Sequence, residues 1–384
     1  MMKKMFLLTF IVSIFLIING CDSLNQTSID KEKIEVPFLF YEIDSSKGIV
    51  NAKLAKWDLN AGLIDSKDKP LYSFKDTTPA DDGEPIVWDG TNFVLRDNVN
   101  IENLEEEKVE IVSDDGILEF GGNIRLKQVY NDDGDIVEHR LTLNTKDGVK
   151  EKKALLLHDT IKDTHGNEFI IGEDRAWIEF NKETGEVLHI CVDRITNSYL
   201  YIGKTNIESI EKTNWNKISL PDYMQAGGNY SPCHNNSQLV GNKYYIQSFY
   251  SETNSAGLGV VDIDTGKTQL LDELVSECRE IVEEGSFEPL FPKDIRPIGS
   301  YKDVLIVSVP ISTDTHAEYL MCAIKDNIFV GALHLKANQP WEIINSKKEV
   351  TSTFDVTNKN LLPRFSEYLS FPSSNRRYYG RYKH

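Results

Sequence analysis

The side chains able to do chemistry are scattered along this chain rather than gathered in motifs. Histidines stand at 139, 158, 165, 189, 234, 316, 334 and 384, and no His-Glu-x-x-His or comparable spacing joins two of them on one helix. His158 and His165 bracket Asp159–Thr164 and read as a hydrogen-bonded surface pair. Cys233 and His234 adjoin in Tyr230-Ser-Pro-Cys-His-Asn-Asn236. A thiol nucleophile needs an imidazole within reach of its sulfur, and neighbours in sequence usually point apart, so this pair reads as part of a loop. Asp-Asp-Gly recurs at Asp81-Asp82-Gly83, Asp114-Asp115-Gly116 and Asp132-Asp133-Gly134. Calcium loops alternate their acids, with a glycine sixth and a glutamate twelfth, and none of the three does; Asp-Gly at a hairpin tip is the ordinary reading. Only Asp132, Asp133 and Asp135 gather enough carboxylates to stand as weak metal candidates. No Gly-x-Ser-x-Gly elbow is present, and Gly257-Leu-Gly259 lacks the third glycine and the Lys-Ser pair of a phosphate loop. These motifs identify no catalytic residue, and no cofactor is expected.

The first 21 residues carry the most information. Lys3 and Lys4 precede a mostly apolar run, Phe6–Ile18, and Ile18-Asn-Gly-Cys21 follows. That run is 13 residues long, short of the roughly 20 that cross a bilayer. The segment resembles bacterial lipoprotein signal peptides, although the family usually has Ala, Ser or Thr where Asn19 stands. The resemblance implies removal of residues 1–20 and a thioether-linked diacylglycerol on Cys21. Removing residues 1–20 takes away two of 42 basic residues and none of 60 acids, leaving 40 against 60 and a formal charge of −20. A nucleic-acid binder shows a basic footprint, so that class is excluded; the membrane is reached through lipid.

The elements that would position a site are strands. Residues 21–34 are polar and read as a lipidated tether. Short runs of β-formers then recur between turn residues: Phe38–Ile43, Phe93–Leu95, Ile124–Tyr130, Phe169–Ile171, Tyr199–Ile202, Tyr244–Tyr250 and Val304–Val309. Glycines 62, 148, 185 and 266 each follow polar residues between apolar runs, where a positive φ is expected, at gaps of 86, 37 and 81 residues. Trp88, Trp177, Trp215 and Trp341 are 89, 38 and 126 apart, and both series fit a unit of about 40 residues, the length of a four-stranded blade, whereas the gap of 31 from Trp57 to Trp88 does not. The hairpins Val260-Val-Asp-Ile-Asp-Thr-Gly-Lys267 and Trp177–Leu188 resemble those of PQQ-like, YVTN and TolB-like β-propellers. The resemblance implies an all-β propeller of six or seven blades over residues 35–349, closed by a C-terminal segment and basic tail, 350–384. Tandem β-sandwiches are the alternative.

Leu271, Leu274, Val275, Cys278, Ile281 and Val282 fall at helical spacing, with Asp272 and Glu273 in the first turn and Gly285 as the stop, predicting one inserted helix. Cys191, Cys233, Cys278 and Cys322 fit no metal spacing; each reads as a small buried hydrophobe or as half of a disulfide whose partner the spacing leaves open. The expected function is binding or scaffolding of a protein, peptide or glycan. The candidate surface is the loop Ala226–Asn236, and the basic tail Asn375–His384 could touch anionic lipid or wall polymer beside the anchor. The alternative is a surface glycan hydrolase or lyase using acids in the propeller channel.

Overall fold

A computed structural model of the full chain describes residues 33–75, 86–88, 92–95, 117–119, 124–130, 136–145, 148–153, 160–162, 168–181, 184–193, 198–206, 208–209, 214–224, 237–250, 255–281, 295–312, 317–336, 339–357, 359, 361 and 369–372. The chain divides into Met1–Ile34 and Glu35–His384, and every described strand belongs to the second unit.

The architecture is almost entirely β, in six antiparallel sheets among the described residues. Sheet 1 contains β1 (Glu35–Asp44), β2 (Ile49–Asp58), β3 (Leu63–Ser66) and β4 (Tyr72–Lys75). Sheet 2 is the hairpin of β5 (Ile86–Trp88) and β6 (Phe93–Leu95). Sheet 3 holds β7 (Ile117–Glu119), β8 (Ile124–Tyr130), β9 (Ile136–Thr145) and β10 (Gly148–Lys153). Sheet 4 runs through β11 (Thr160–Lys162), β12 (Glu168–Asn181), β13 (Glu186–Asp193), β14 (Tyr199–Asn206) and β15 (Asn214–Ser219). Sheet 5 is β16 (Ser237–Val240), β17 (Lys243–Tyr250), β18 (Ser255–Asp262) and β19 (Thr268–Leu270). Sheet 6 has six strands: β20 (Arg296–Tyr301), β21 (Val304–Ser312), β22 (Ala317–Lys325), β23 (Ile328–Leu335), β24 (Trp341–Asn345) and β25 (Val350–Phe354). A short last strand, β26 (Leu369–Ser370), returns to sheet 1.

All seven predicted strand runs lie inside observed strands, and Gly62, Gly148, Gly185 and Gly266 have φ of +62°, +110°, +72° and +70°. Local chemistry fixes the turns. The Asp262 carboxylate accepts the backbone N–H groups of Asp264 and Thr265 at 3.1 and 2.8 Å, the Gly266 N–H donates to the Asp262 carbonyl at 2.8 Å, and Asp58 repeats the pattern ahead of Gly62. The 40-residue unit fares differently. Trp177 and Trp215 lie on β12 and β15 of the same sheet, so their 38-residue gap runs from the second to the fifth strand of one sheet and is not the step between neighbouring sheets.

Successive sheets bury facing apolar surfaces, and strand alternation decides which side chain goes where. On β1, Leu39 and Tyr41 join Val50 and Ala52 against Ile86 and Phe93 of sheet 2, whereas Phe40 turns the other way and meets Trp341 and Phe354 of sheet 6 at ring separations of 6.4 and 5.9 Å. That is why Val36–Tyr41 is an unbroken buried run: both faces of the strand are covered. Sheet 4 packs on sheet 5 through Leu188, Ile190, Leu200 and Ile202 against Tyr244, Ile246 and Val261. Sheet 5 packs on sheet 6 through Leu258 and Val260 against Leu305, Val307 and Leu320. The predicted helix spans Asp272–Arg279 (α1) and seats Leu274, Val275 and Cys278 in that same interface, touching β18 and β23.

The C-terminal segment fastens sheet 1 to sheet 6. Leu369 and Ser370 pair with Phe40 and Leu39, the Ser370 and Tyr41 hydroxyls lie 3.1 Å apart, and the Pro372 carbonyl accepts the Ser300 N–H of β20 at 2.7 Å. Close approach requires Gly299, next to a break in the β20–β21 register: a Cβ there would lie 2.6 Å from the Phe371 Cβ and 2.7 Å from the Pro372 oxygen. Glu42 adds ion pairs to Lys53 (2.7 Å) and Lys359 (2.9 Å). Burial pushes the Glu42 carboxyl up, and the hydrogen bonds and charges of the two lysines outweigh it, holding the group below its usual range.

Two substitutions test this junction by urea unfolding. Gly299→Ala should lower stability by about 1–3 kcal/mol, because backbone must shift, and Phe40→Ala by about 3–5 kcal/mol. Midpoints within experimental error of the parent protein would show that the junction is not built as described.

Candidate functional site

Burial of titratable groups picks out one end of sheet 6. Glu318 at the start of β22, His334 near the end of β23 and Glu342 at the start of β24 come together because the register sets His334 opposite Leu320 on one side and Glu342 on the other. Glu318 lies two residues from Leu320 along the same face, the diagonal position from which a long side chain reaches across. The inner part of that face is apolar, with Leu320, Ala332 and Ile344 in the core; the charged groups sit where it meets the strand ends.

The geometry is close. Glu318 Oε2 is 2.8 Å from His334 Nε2, Glu342 Oε2 is 3.3 Å from Nδ1, and Lys336 Nζ is 2.7 Å from Glu342 Oε1. Side-chain exposure is only 10% for His334 and 14% for Glu318. A carboxylate oxygen thus faces each ring nitrogen, so an acceptor is within reach of whichever nitrogen carries a proton. Burial pushes the Glu342 carboxyl up, but the Lys336 hydrogen bond and charge, with smaller help from His334, hold it below the ordinary carboxylate range. The group can act as an anionic anchor. It is tuned opposite to a general acid, whose carboxyl must be raised. Among the described residues no group of three or more His, Cys, Asp and Glu side chains has metal-binding geometry.

A second histidine is notable for having no hydrogen-bond partner. His189 on β13 lies opposite Gly203 of β14, which lies opposite Trp215 of β15. With no side chain at Gly203, the imidazole reaches across and stacks on the indole, ring centroids 5.6 Å apart and planes 29° from parallel. Neither His189 nitrogen has a hydrogen bond, and desolvation lowers its pKa to about 4.

Several sequence candidates lie outside the described residues: Cys21, Asp81–Gly83, Asp114–Gly116, Asp132, Asp133, Asp135, His158, His165, Ala226–Asn236 with Cys233 and His234, His316, Gly285 and the basic tail. Cys191 is on β13, while Cys278 and Cys322 are buried free thiols. The Glu318–His334–Glu342–Lys336 cluster was not singled out from sequence. Its members stand 16, 2 and 6 residues apart in chain order, and only strand register brings them together. Among the described residues, no helix is long and apolar enough to cross a membrane.

No protein-family profile matches the chain, and no curated protein does. Solved structures similar to it include TolB from Acinetobacter baumannii (11% identity, 79% of this chain and 64% of that one, TM-score 0.38). A prolyl endopeptidase matches at 10% identity, 84% and 48% coverage and TM-score 0.29. The GH74 xyloglucanase from Xanthomonas campestris matches at 10%, 88% and 47%, and 0.27. The match spans less than two thirds of each of those chains.

His189 generates a pH prediction. Its folded pKa, about 4, is below the usual 6.5, so between these values the unfolded chain binds a proton that the folded one refuses. Stability from this group is constant above about pH 6.5 and falls as pH drops toward 4, by about 3 kcal/mol in all. His189→Phe, which keeps the stack on Trp215, should remove that part of the acid sensitivity when urea midpoints are compared at pH 7 and pH 4.5. Equal losses in the two proteins would contradict the assignment.

Proposed function

We propose that this chain is a membrane-anchored extracytoplasmic lipoprotein whose body, from Glu35 onward, is a β-propeller serving as a binding or scaffold module. The observation that carries the reading is the pairing of the last described strand with the first in one sheet, Leu369 with Phe40 and Ser370 with Leu39. Sheets stacked around an axis need such a fastening, whereas tandem sandwiches would leave first and last strands in separate bodies. Burial of both faces of β1, and the packing of sheet 4 on 5, 5 on 6 and 6 on 1, support the same arrangement.

The anchor is Cys21. Thirteen residues, 22–34, separate it from β1, a reach of at most about 45 Å when extended. A body with a formal charge of −20 is repelled by anionic headgroups, so acyl chains, at roughly 0.8 kcal/mol per buried methylene, must supply the attachment. The partly buried charges at the end of sheet 6 offer fixed anionic and cationic groups for a protein, peptide or glycan ligand; nucleic acid is disfavoured by charge.

Glu318 and Glu342 on either side of His334 favour a second reading, a surface glycan hydrolase or lyase. Against it, the imidazole fills the space between the carboxylates, and Glu342 is lowered where an acid catalyst would be raised.

The anchor is tested by radiolabelled palmitate in the native host. The parent chain should incorporate label and sediment with membranes, and Cys21→Ala should lose both properties. A variant that still sediments and labels equally contradicts the proposal.

A further inference from the structure

We infer that Cys278 and Cys322 are a disulfide-forming pair, a redox modification site that locks helix α1 onto sheet 6. The inference rests on the extracytoplasmic reading for its oxidant and on geometry for its choice of partners.

The pairing follows from two periodicities. On α1, Leu271, Leu274, Val275 and Cys278 form the buried stripe. On β22, Leu320, Cys322 and Ile324 alternate into the same core cluster, and the neighbour of Cys322 is Ala332 on β23, a strand that the helix touches. The two stripes meet in one core cluster that holds both cysteines, with the Cys278 thiol near enough to Cys322 to disfavour its thiolate. Both are fully buried, and no other cysteine shares their core cluster among the described residues.

The chemistry balances with an oxidant of the thiol–disulfide exchange class. A thiolate at one cysteine attacks the oxidant's disulfide and releases one thiol. The second cysteine then attacks the mixed disulfide and releases the other. Two S–H bonds break, one S–S bond forms, and two protons and two electrons reduce one disulfide to two thiols. Burial, and then the neighbouring Cys278, push the Cys322 thiol well above its usual range, so docked Cys322 is a poor nucleophile, and both sulfurs are shut away from an oxidant in solution. Exchange therefore happens before α1 seats, during folding, and the finished bond is shielded from reductant.

The purified, reduced full chain is refolded in oxidised glutathione, and the same reagent is added to chain that is already folded; both are denatured, alkylated and mapped by mass spectrometry. Refolding should yield a peptide linked through Cys278 and Cys322, whereas the folded sample should react at least tenfold more slowly. The linked protein should melt about 5 °C or more above its reduced form, and Cys278→Ala/Cys322→Ala should show no redox-dependent shift. Refolded protein alkylated at both positions, or linked instead to Cys191 or Cys233, overturns the inference. Protein that links on refolding but is fully reduced when isolated from cells supports the pair and contradicts the extracytoplasmic reading.

Discussion

The junction of sheet 1 with sheet 6 is the constraint on which the rest of this structure depends. A stack of two-faced sheets leaves an apolar face bare at each end unless first and last meet. In this chain the meeting is made by β26 lying along β1, by Phe40 packed into Trp341 and Phe354, and by the Pro372 carbonyl bonded to β20. Aromatic rings dominate because each buries a large apolar area and tolerates the tilted contacts of twisted sheets. Gly299 and Gly331 serve the same junction, the first by admitting Phe371 and Pro372, the second by leaving space beside Trp57. The Glu42 ion pairs are peripheral, and the apolar contact supplies most of the stabilisation.

Much of this was legible in the sequence because it is local. A run such as Tyr244–Tyr250 has no good alternative to a strand, and Asp262 followed by Gly266 dictates its own turn through one carboxylate and one positive φ. The acids and apolar spacing of Asp272–Arg279 announced the helix for the same reason. What could not be read is relational. The tryptophan spacing looked like a blade repeat, yet Trp177 and Trp215 share one sheet, since spacing along the chain does not say how many strands a sheet holds. Glu318, His334 and Glu342 became a cluster only through register, and the placement of Gly203 between His189 and Trp215 is likewise invisible until strands are aligned.

The two buried histidines show how surroundings decide a side chain's chemistry. His334 has a carboxylate at each nitrogen and a lysine beyond one of them, so charge is compensated inside the protein at a strand end near solvent. His189 has only an indole and desolvation, and it is held neutral. The first arrangement can meet a polar ligand without losing its internal order; the second belongs to the core and makes the fold sensitive to acid. The proposed lipoprotein would thus carry its polar chemistry at sheet ends and keep its interior apolar, with an acidic exterior that leaves attachment to lipid.

Hydrogen–deuterium exchange tests the junction most directly, by following the amides of residues 36–41 and 369–371 alongside the central strands of sheet 6. If the C-terminal segment fastens the sheets into one cooperative body, these amides exchange no faster than those of β21–β23 and only through global unfolding. Rapid exchange at 36–41 and 369–371, with sheet 6 still protected, would contradict the account.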